Sequence, residues 1–332
     1  MKKFPFYILS LLVSCIACKG NKQETAKQEA NQEDAIEVNV PEFNADSAYN
    51  YVKAQVDFGP RVPNTKEHVA CGEFLADKLK EFGAKVTNQY ADLIAYEGTV
   101  LKARNIIGAY KPESKRRVLL FAHWDTRPWA DRDDKTNHHT PILGANDGAS
   151  GVGVLLEIAR LLNQETPEIG IDIIFFDAED YGIPSFHEGK YKNDSWCLGS
   201  QYWSRNPHVE GYNARFGILL DMVGGKDATF YIEGYSNRYA KSVVDKVWNT
   251  AERLGYANYF VYKNGGSVID DHLYVNTLAR IPSIDIIPYD ETDYYSSFGS
   301  FWHTLDDNME IIDRKTLKAV GQTVLEVIYN EK

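Results

Sequence analysis

The stretch IGIDIIFFDAED, residues 169–180, decides the fold. Its apolar residues are nearly continuous, which predicts a strand covered on both faces rather than a half-buried one. It runs directly into a cluster of acidic residues. Two other stretches share this design, RVLLFAHWD at residues 117–125 and RFGILLDMVG at residues 215–224. RIPSIDIIP, residues 280–288, predicts a fourth strand.

Helical patterns precede, separate and follow these strands. The predicted helices cover residues 44–59, 65–83, 151–165, 237–255 and 313–330. Buried strands that alternate with amphipathic helices are typical of a mostly parallel sheet with helices on both faces. Two earlier strand-like runs, residues 84–96 and 103–110, predict an antiparallel edge. The predicted fold class is therefore α/β, a three-layer α/β/α sandwich with a mostly parallel, mixed central sheet.

Capping residues predict where the first two helices begin and end. Asp46 or Ser47 is the predicted N-cap of the first helix, since short polar side chains accept from exposed backbone amides there. Thr65 is predicted to begin the second helix. Gly83 is predicted to end it, because glycine adopts the left-handed conformation that closes many helices.

The N-terminal residues predict export and a lipid anchor. A positive MKK and a short apolar run lead to LVSC, residues 12–15, which resembles a bacterial lipobox with Cys15 as the lipidated residue. Cys18 is a second candidate, and a plain signal peptide is the alternative. Residues 1–18 are thus predicted to be a signal peptide with lipobox and residues 19–40 a flexible polar tether. The expected location is the bacterial periplasm, with a membrane anchor.

Residues 41–332 are predicted to form a single catalytic α/β domain. The chain has 332 residues and a formal net charge of -11. This charge argues against nucleic acid as a partner, because phosphate contacts need a basic surface. Only Cys71 and Cys197 remain in this domain, so one disulfide is possible, although a buried thiol is the simpler interpretation for Cys71.

Polar side chains follow the predicted parallel strands at the point where each strand ends. His123 and Asp125 follow the first, Glu179 and Asp180 the second, and Asp221 the third. Ligands bind outside the carboxyl ends of parallel strands, so these side chains are predicted to converge in one crevice. Each acid taken singly is more typical of a helix cap or a surface charge.

Carboxylates gathered with imidazole suit zinc, which takes oxygen and nitrogen ligands. The loop GANDGASG, residues 144–151, supplies Asp147 just before a helix. Asp147, Asp180 and His303 would offer three ligands with two negative charges, and would leave one position open. The prediction is a catalytic zinc site.

The motif order identifies a family resemblance. In sequence order the motifs are HWD (123–125), GANDGASG (144–151), DAED (177–180), LLDMVG (219–224) and WHT (302–304). Their order resembles the M28 zinc exopeptidases and, more closely, the animal-type glutaminyl cyclases, from about residue 43 to the C-terminus. The resemblance to the peptidases implies Glu179 as general base and two zinc ions bound by His123, Asp147, Asp180, Asp221 and His303. The resemblance to the cyclases implies one Zn²⁺ per chain, on Asp147, Asp180 and His303.

The WHT and IDDH motifs favour the cyclases over the peptidases. In cyclases the residue matching Trp302 lines the pocket for an N-terminal glutamine, and Trp196 matches a second pocket tryptophan. The acid matching Asp270 hydrogen-bonds to the one matching Asp221. The resemblance thus implies catalytic roles for Glu179, Asp221 and Asp270, with peptides or proteins that begin with glutamine as substrates. This chain departs at Asp180, where the animal enzymes have glutamate.

Two rival functions remain, and the first uses the same residues. The first is a dinuclear zinc aminopeptidase of the M28 type, which releases an N-terminal amino acid. The second is an inactive peptidase-like binding domain held at a membrane. The complete set of ligand residues argues against the second rival.

Overall fold

The fold is described from a computed structural model, which covers residues 38–190, 192, 194–293 and 296–332. The predicted signal peptide, Cys15, Cys18 and most of the predicted tether lie outside the described residues. Residues Val38–Lys332 pack as one unit. In the described part of the chain, no helix combines the length and hydrophobicity that crossing a membrane requires.

Six of the eight described strands form the central sheet. The strands are β1 Lys85–Ile94, β2 Val100–Tyr110, β3 Arg117–His123, β4 Gly170–Phe176, β5 Gly217–Leu220, β6 Phe230–Ile232, β7 Phe260–Asn264 and β8 Ser283–Ile286. Their order in the sheet is β1-β2-β4-β3-β5-β8, and β6 pairs with β7 separately. Strands β4, β3, β5 and β8 are mutually parallel, whereas β1 and β2 are antiparallel at one edge. The mixed sheet with an antiparallel edge is thereby confirmed.

Helices cover both faces of this sheet. They are α1 Ala45–Val56, α2 Lys66–Glu81, α3 Ala149–Gln164, α4 Leu198–Arg205, α5 Gly234–Arg253, α6 Asp271–Tyr274 and α7 Arg314–Tyr329. A π-helical turn, Val275–Ala279, continues α6, and a 3-10 turn, Met309–Ile311, precedes α7. Five of these helices match the predicted ones. Helices α4 and α6 were not predicted from the sequence.

The alternation of side chains along β4 divides the core into two layers. Ile171, Ile173 and Phe175 belong to the larger core, which also contains residues of α1, α2, α3, α5 and α7. Ile174 and Phe176 point to the opposite face and belong to a smaller core with Trp203 of α4. Both faces of the strand are therefore buried, as its nearly continuous apolar sequence predicts. The three-layer architecture is confirmed.

One local prediction is wrong, and the structure decides two others. The N-cap of α1 is Asn44, not Asp46 or Ser47, because its extended backbone lets its side chain accept from the Ser47 amide at 2.9 Å. The second helix begins after the Thr65 cap as predicted. Cys71 and Cys197 are both buried and free, so no disulfide joins them.

Candidate active site

The carboxyl ends of the parallel strands open into one cavity. Its walls include eight side chains that the sequence predicts for the site: Asp147, Glu179, Asp180, Trp196, Asp221, Asp270, Trp302 and His303. His123 and Asp125, also predicted there, are not among its lining residues. Since β3 and β4 lie in parallel register up to His123 and Phe176, the residues after these strands emerge at the same edge. The predicted convergence at the rim of the sheet is therefore observed.

Asp147, Asp180 and His303 form a group that could hold one metal ion. One nitrogen or oxygen from each lies within 4.8 Å of the others, and all three residues are buried. His303 Nε2 lies 3.4 Å from Asp180 Oδ1 and 3.6 Å from Asp147 Oδ2. Two carboxylates and one imidazole are a donor set that zinc accepts.

A second such group consists of His123, Asp147 and Asp221, so Asp147 is common to both. His123 Nε2 lies 2.9 Å from Asp147 Oδ1 and 3.2 Å from Asp221 Oδ1. Despite these short distances, neither ring nitrogen of His123 makes a hydrogen bond within the described part of the chain, and the same is true of Asp221 Oδ1 and Asp180 Oδ2. Buried polar atoms normally have partners. Their orphaned state fits a cation between them.

The loop that carries Asp147 is fixed by a glycine and an acid. A Cβ atom on Gly148 would lie 2.4 Å from His123 Nε2, so only glycine lets the loop pass this close to the histidine. Asp307 accepts hydrogen bonds from the amides of Asn146 at 2.7 Å and Asp147 at 3.1 Å. The position of Asp147 therefore depends on a residue 160 positions away.

Asp125 holds the backbone that presents Glu179 and Asp180. Its two oxygens accept from the amides of Glu179 at 3.1 Å and Asp180 at 3.2 Å. A carboxylate that accepts from successive amides fixes both residues in one orientation. Asp125, which follows β3, thus positions the two acids that follow the neighbouring strand β4.

A buried ion pair missed by the sequence reasoning orients His303. Asp131 Oδ1 lies 3.4 Å from His303 Nδ1, on the side of the ring away from Asp180. Arg127 donates to both oxygens of Asp131, at 2.7 and 2.9 Å, and to the Asp180 carbonyl at 3.0 Å. Ligating histidines commonly use the second nitrogen in this way. No motif in the sequence marked Arg127 or Asp131.

Two tryptophans lie close to the His303 ring. Trp302 stacks on it with ring centres 3.8 Å apart, and Trp196 lies nearly parallel to it at 6.0 Å. Arg132 and Phe298 pack against Trp302, at 5.1 and 5.0 Å. The site therefore presents flat aromatic walls beside the candidate metal ligands.

Glu179 is a buried carboxyl with an unusual partner. Its Oε1 accepts from the thiol of Cys197 at 3.1 Å. Burial raises the pKa of the Glu179 carboxyl well above its usual value, with His123 opposing the shift and Asp270 adding to it. A carboxyl with a raised pKa suits proton transfer near neutral pH. Cys197 was not predicted to belong to the site, although it follows Trp196 directly.

Asp221 and Asp270 face the same cavity. Burial, followed by the charge of Asp270, raises the pKa of Asp221 to about 7. Asp270 caps α6 by accepting from the Asp271 amide. Within the described residues, the hydrogen bonds of these two acids do not include one between them, so the pairing implied by the resemblance stays a prediction.

Comparisons with known proteins agree with this geometry. The model of Peptidase family M28 matches residues 105–328. A crystal structure of Bacteroides thetaiotaomicron glutaminyl cyclase bound to N-acetylhistamine is 71% identical, with a TM-score of 0.87, and covers 89% of this chain and 100% of that chain. A second structure from the same organism, described as a leucine aminopeptidase precursor, is also 71% identical, with a TM-score of 0.86 and the same coverage.

A curated relative supports the same assignment. The glutaminyl-peptide cyclotransferase of Drosophila melanogaster is 26% identical over 282 residues, which are 77% of this chain and 73% of that protein. The family model spans well over half of the chain, and the solved cyclase is matched along its whole length. The chain therefore belongs to peptidase family M28 and, within it, to the group that includes the bacterial glutaminyl cyclases.

Proposed function

We propose that this protein is a zinc-dependent glutaminyl-peptide cyclotransferase. It converts the N-terminal glutamine of a peptide or protein into pyroglutamate and releases ammonia. The observation that carries the proposal is the pair of tryptophans, Trp302 and Trp196, which stack near His303 and line the cavity that also contains Glu179. Aromatic walls beside the candidate metal ligands suit one small flat side-chain amide.

Zinc is the metal that the donor set fits. Asp147, Asp180 and His303 would hold one ion per chain, beside the two tryptophans. When bound there, the ion would supply Lewis acidity that stabilises negative charge on the γ-carbonyl oxygen of glutamine.

Glu179 performs the proton transfers in the proposed reaction. The α-amine nitrogen attacks the side-chain carbonyl carbon, Cδ, of the same glutamine and forms the new N–Cδ bond, while Glu179 accepts a proton from that nitrogen. The bond between Cδ and the amide nitrogen then breaks, and Glu179 gives the proton to this nitrogen so that ammonia leaves. Asp221 and Asp270 are proposed to orient the leaving amide. No water is consumed, so the atoms of the substrate equal those of the two products.

The two tryptophans are proposed to contribute by holding the substrate in a compact conformation. Nucleophile and electrophile belong to one residue, so the task is to place them within reach of each other. Well-oriented intramolecular reactions reach effective molarities on the order of 10⁵ M or more. Trp302 and Trp196 would favour the folded conformer and exclude water from it.

Replacing Glu179 tests the proton transfer. Glu179→Gln keeps the shape of the side chain but removes the base, so kcat is expected to fall by about 10²- to 10⁴-fold. Ammonia release from a glutaminyl peptide measures it, with zinc content and circular dichroism as checks on the site and fold. Glu188→Gln, an exposed glutamate in the loop before Trp196, is the control. Unchanged turnover in Glu179→Gln would remove this residue from the mechanism.

A dinuclear aminopeptidase is the second candidate function. Two observations favour it: the group of His123, Asp147 and Asp221, and the similar structure described as a leucine aminopeptidase precursor. Mass spectrometry of peptides that begin with Gln or Leu separates the two functions. Loss of ammonia from the Gln peptide alone supports the cyclase. A shortened Leu peptide, with two zinc ions per chain by elemental analysis, supports the aminopeptidase.

We further propose that Cys15 anchors the protein to a bacterial membrane facing the periplasm. The lipobox-like LVSC after an apolar run is the support for this proposal. Expression of the full chain in a bacterium, followed by membrane fractionation, tests it. Cys15→Ser is expected to move the protein to the soluble fraction, while Cys18→Ser leaves it on the membrane. The reverse result would assign the anchor to Cys18.

A further inference from the structure

A buried arginine contacts the loop that carries Asp147. Arg61 belongs to the segment between α1 and α2, and its side chain is fully buried. Its backbone carbonyl accepts from the Thr126 amide at 3.3 Å, so this segment is bound to the chain just after β3. Arg61 precedes residues 105–328, which the family model matches. A residue from outside the matched region therefore reaches the site.

The guanidinium of Arg61 holds the turn that contains Asp147. Its Nη1 donates to the Leu143 carbonyl, and its Nη2 donates to the Gly144 carbonyl at 2.8 Å. The Gly144 carbonyl also accepts from the Ala149 amide at 3.3 Å, where α3 begins. The turn is closed by this hydrogen bond across Asp147, and Arg61 is bonded to the oxygen at which it closes.

Gly144 connects the position of Arg61 to that of Asp147. A Cβ atom on Gly144 would lie 2.1 Å from the Asp147 carbonyl oxygen, and the φ angle of Gly144 is +56°. The backbones of the two residues are thus in contact across the turn. Asp307 accepts from the Asp147 amide at 3.1 Å. The loop is therefore held through its carbonyls by Arg61 and through its amides by Asp307.

Arg61 also brings a positive charge close to the acids of the site. The groups bonded to it are neutral carbonyls, and its Nε has no hydrogen-bond partner within the described residues. Burial lowers the pKa of Arg61, but the charges of Asp307, Asp125 and Asp147 oppose this shift. Arginine keeps its proton in proteins because its ordinary pKa is very high. The buried charge therefore reduces the mutual repulsion of these acids even before a metal ion binds.

We propose that Arg61 is a positioning residue for the metal site: it holds Asp147 in the orientation that binds zinc and thereby sets the affinity for this ion. The inference rests on the proposed function, in which Asp147, Asp180 and His303 hold one zinc ion. Arg61 does not line the catalytic cavity, so it acts through Asp147 and not on the substrate. Groups that orient metal ligands typically change metal affinity by about 10- to 100-fold when they are replaced.

The affinity for zinc tests the proposal, measured on the zinc-loaded full chain by competition with a fluorescent zinc chelator. Arg61→Lys keeps the positive charge but lacks the planar fork that reaches both carbonyls, so Kd for zinc is expected to rise about 10-fold. Arg61→Gln also removes the charge, and its Kd is expected to rise about 100-fold. At saturating zinc, kcat of Arg61→Lys on glutamine amide is expected to return close to the wild-type value, because the same ligands and base are then in place.

Arg117→Lys is the matched control. Arg117 is also a buried arginine that donates to backbone carbonyls, those of Tyr110 and Ile171, but it is the first residue of β3, at the end of the strand away from the site. Both lysine variants are expected to have lower melting temperatures than the wild type. Only Arg61→Lys is expected to bind zinc more weakly.

Three results would overturn the positioning role: a wild-type Kd for zinc in Arg61→Lys, an equal rise of Kd in Arg117→Lys, or a kcat of Arg61→Lys that stays low at saturating zinc. If Arg61→Gln does not fold, Arg61→Lys and its control decide alone. A wild type that binds zinc but forms no pyroglutamate from glutamine amide would refute the proposed function, while a weaker affinity in Arg61→Lys would still support the role of Arg61.

Discussion

At the residue scale, the contact between Cys197 and Glu179 is the least expected feature of the site. Both side chains are buried, and the thiol lies 3.1 Å from Glu179 Oε1. Burial and the charge of Glu179 raise the pKa of Cys197 well above its usual value, so the sulfur keeps its proton and donates it. One oxygen of the Glu179 carboxyl group is thereby held in place at the wall of the cavity.

Replacing Cys197 measures this positioning role. Cys197→Ala removes the donor, so kcat is expected to fall by about 10-fold with little change in KM. Cys197→Ser restores a donor and is expected to recover most of the loss. Steady-state kinetics on glutamine amide distinguishes the two variants.

Cys71→Ala provides the control, because Cys71 is a buried thiol on α2 that packs in the larger hydrophobic core. It is expected to lower the melting temperature without changing kcat. If Cys197→Ser is as slow as Cys197→Ala, the thiol has only a packing role.

At the scale of elements, loops between strands and helices position the site, and each is held by a buried acid. Asp307 holds the loop before α3, and Asp125 holds the loop after β4. Glu233 caps α5 and also binds the Val268 amide, in the loop that leads to Asp270. Buried acids that accept several amide hydrogen bonds give irregular backbone a single conformation.

The Gly148→Ala substitution tests the loop before α3. Its Cβ would lie 2.4 Å from His123 Nε2 and 2.5 Å from the His123 carbonyl oxygen, so the loop and Asp147 must move. We expect kcat/KM to fall by about 100-fold or more, as misplacement by about 1 Å does in other enzymes. Zinc content by elemental analysis is expected to fall with it. Gly255→Ala is the control: no atom lies within 4 Å of the added carbon, but the backbone there is left-handed (φ +84°), so this variant is expected to lose stability while it keeps its zinc content and kinetics. Wild-type kinetics in Gly148→Ala would refute the crowding argument.

Glu233 stabilises the folded protein, and this contribution to the free energy of unfolding is lost at acid pH. Burial would raise its pKa, but hydrogen bonds from His272 and from the amides of Ser236 and Tyr235 outweigh burial and lower the pKa to about 2. The stabilisation is present above the ordinary pKa of about 4.5 and is lost as pH falls toward about 2.

Urea unfolding of the wild type and Glu233→Gln checks this. The difference in unfolding free energy is expected to be about 3 kcal/mol at pH 7, from the difference between these two pKa values, and to shrink below pH 4. A difference that stays constant between pH 7 and pH 3 would contradict a titrating contribution from Glu233.

At the scale of the whole molecule, the fold gathers acids at one rim that would repel each other there. Asp147, Asp180 and Asp221 lie in three different segments, after β3, β4 and β5, and meet in one cavity. A bound cation relieves this repulsion, so metal binding and folding are expected to be coupled.

Removing the metal should therefore lower stability. At a zinc concentration about 100 times Kd, the ion stabilises the fold by about 2.7 kcal/mol, so a strong chelator is expected to lower the melting temperature by about 5 °C or more. Added zinc restores it. His303→Ala is expected to abolish the response, and a wild-type melting temperature that ignores the chelator would contradict the coupling.

The architecture follows from the sequence where a pattern is local and repeated. Nearly continuous apolar runs mark the parallel strands of the sheet, and helical periods mark α1, α2, α3, α5 and α7. Helices α4 and α6 escaped prediction for physical reasons. Helix α4 has only eight residues, and most of its buried residues are small or polar, among them Gly199, Ser200 and Gln201, so it shows no apolar stripe. Helix α6 has only four residues before it becomes a π turn, which is too short for an amphipathic repeat.

By itself, the sequence determined the three-layer α/β fold, the edge of the sheet that carries the site, and eight of the side chains that line it, because strand-end acids are readable along the chain and the ordered motifs resemble those of a known family. Only the tertiary structure decided what holds those side chains: Asp131 against His303, Asp307 beneath Asp147 and Cys197 against Glu179. Such contacts join residues that are far apart in the chain, and they depend on loop paths that no local periodicity encodes.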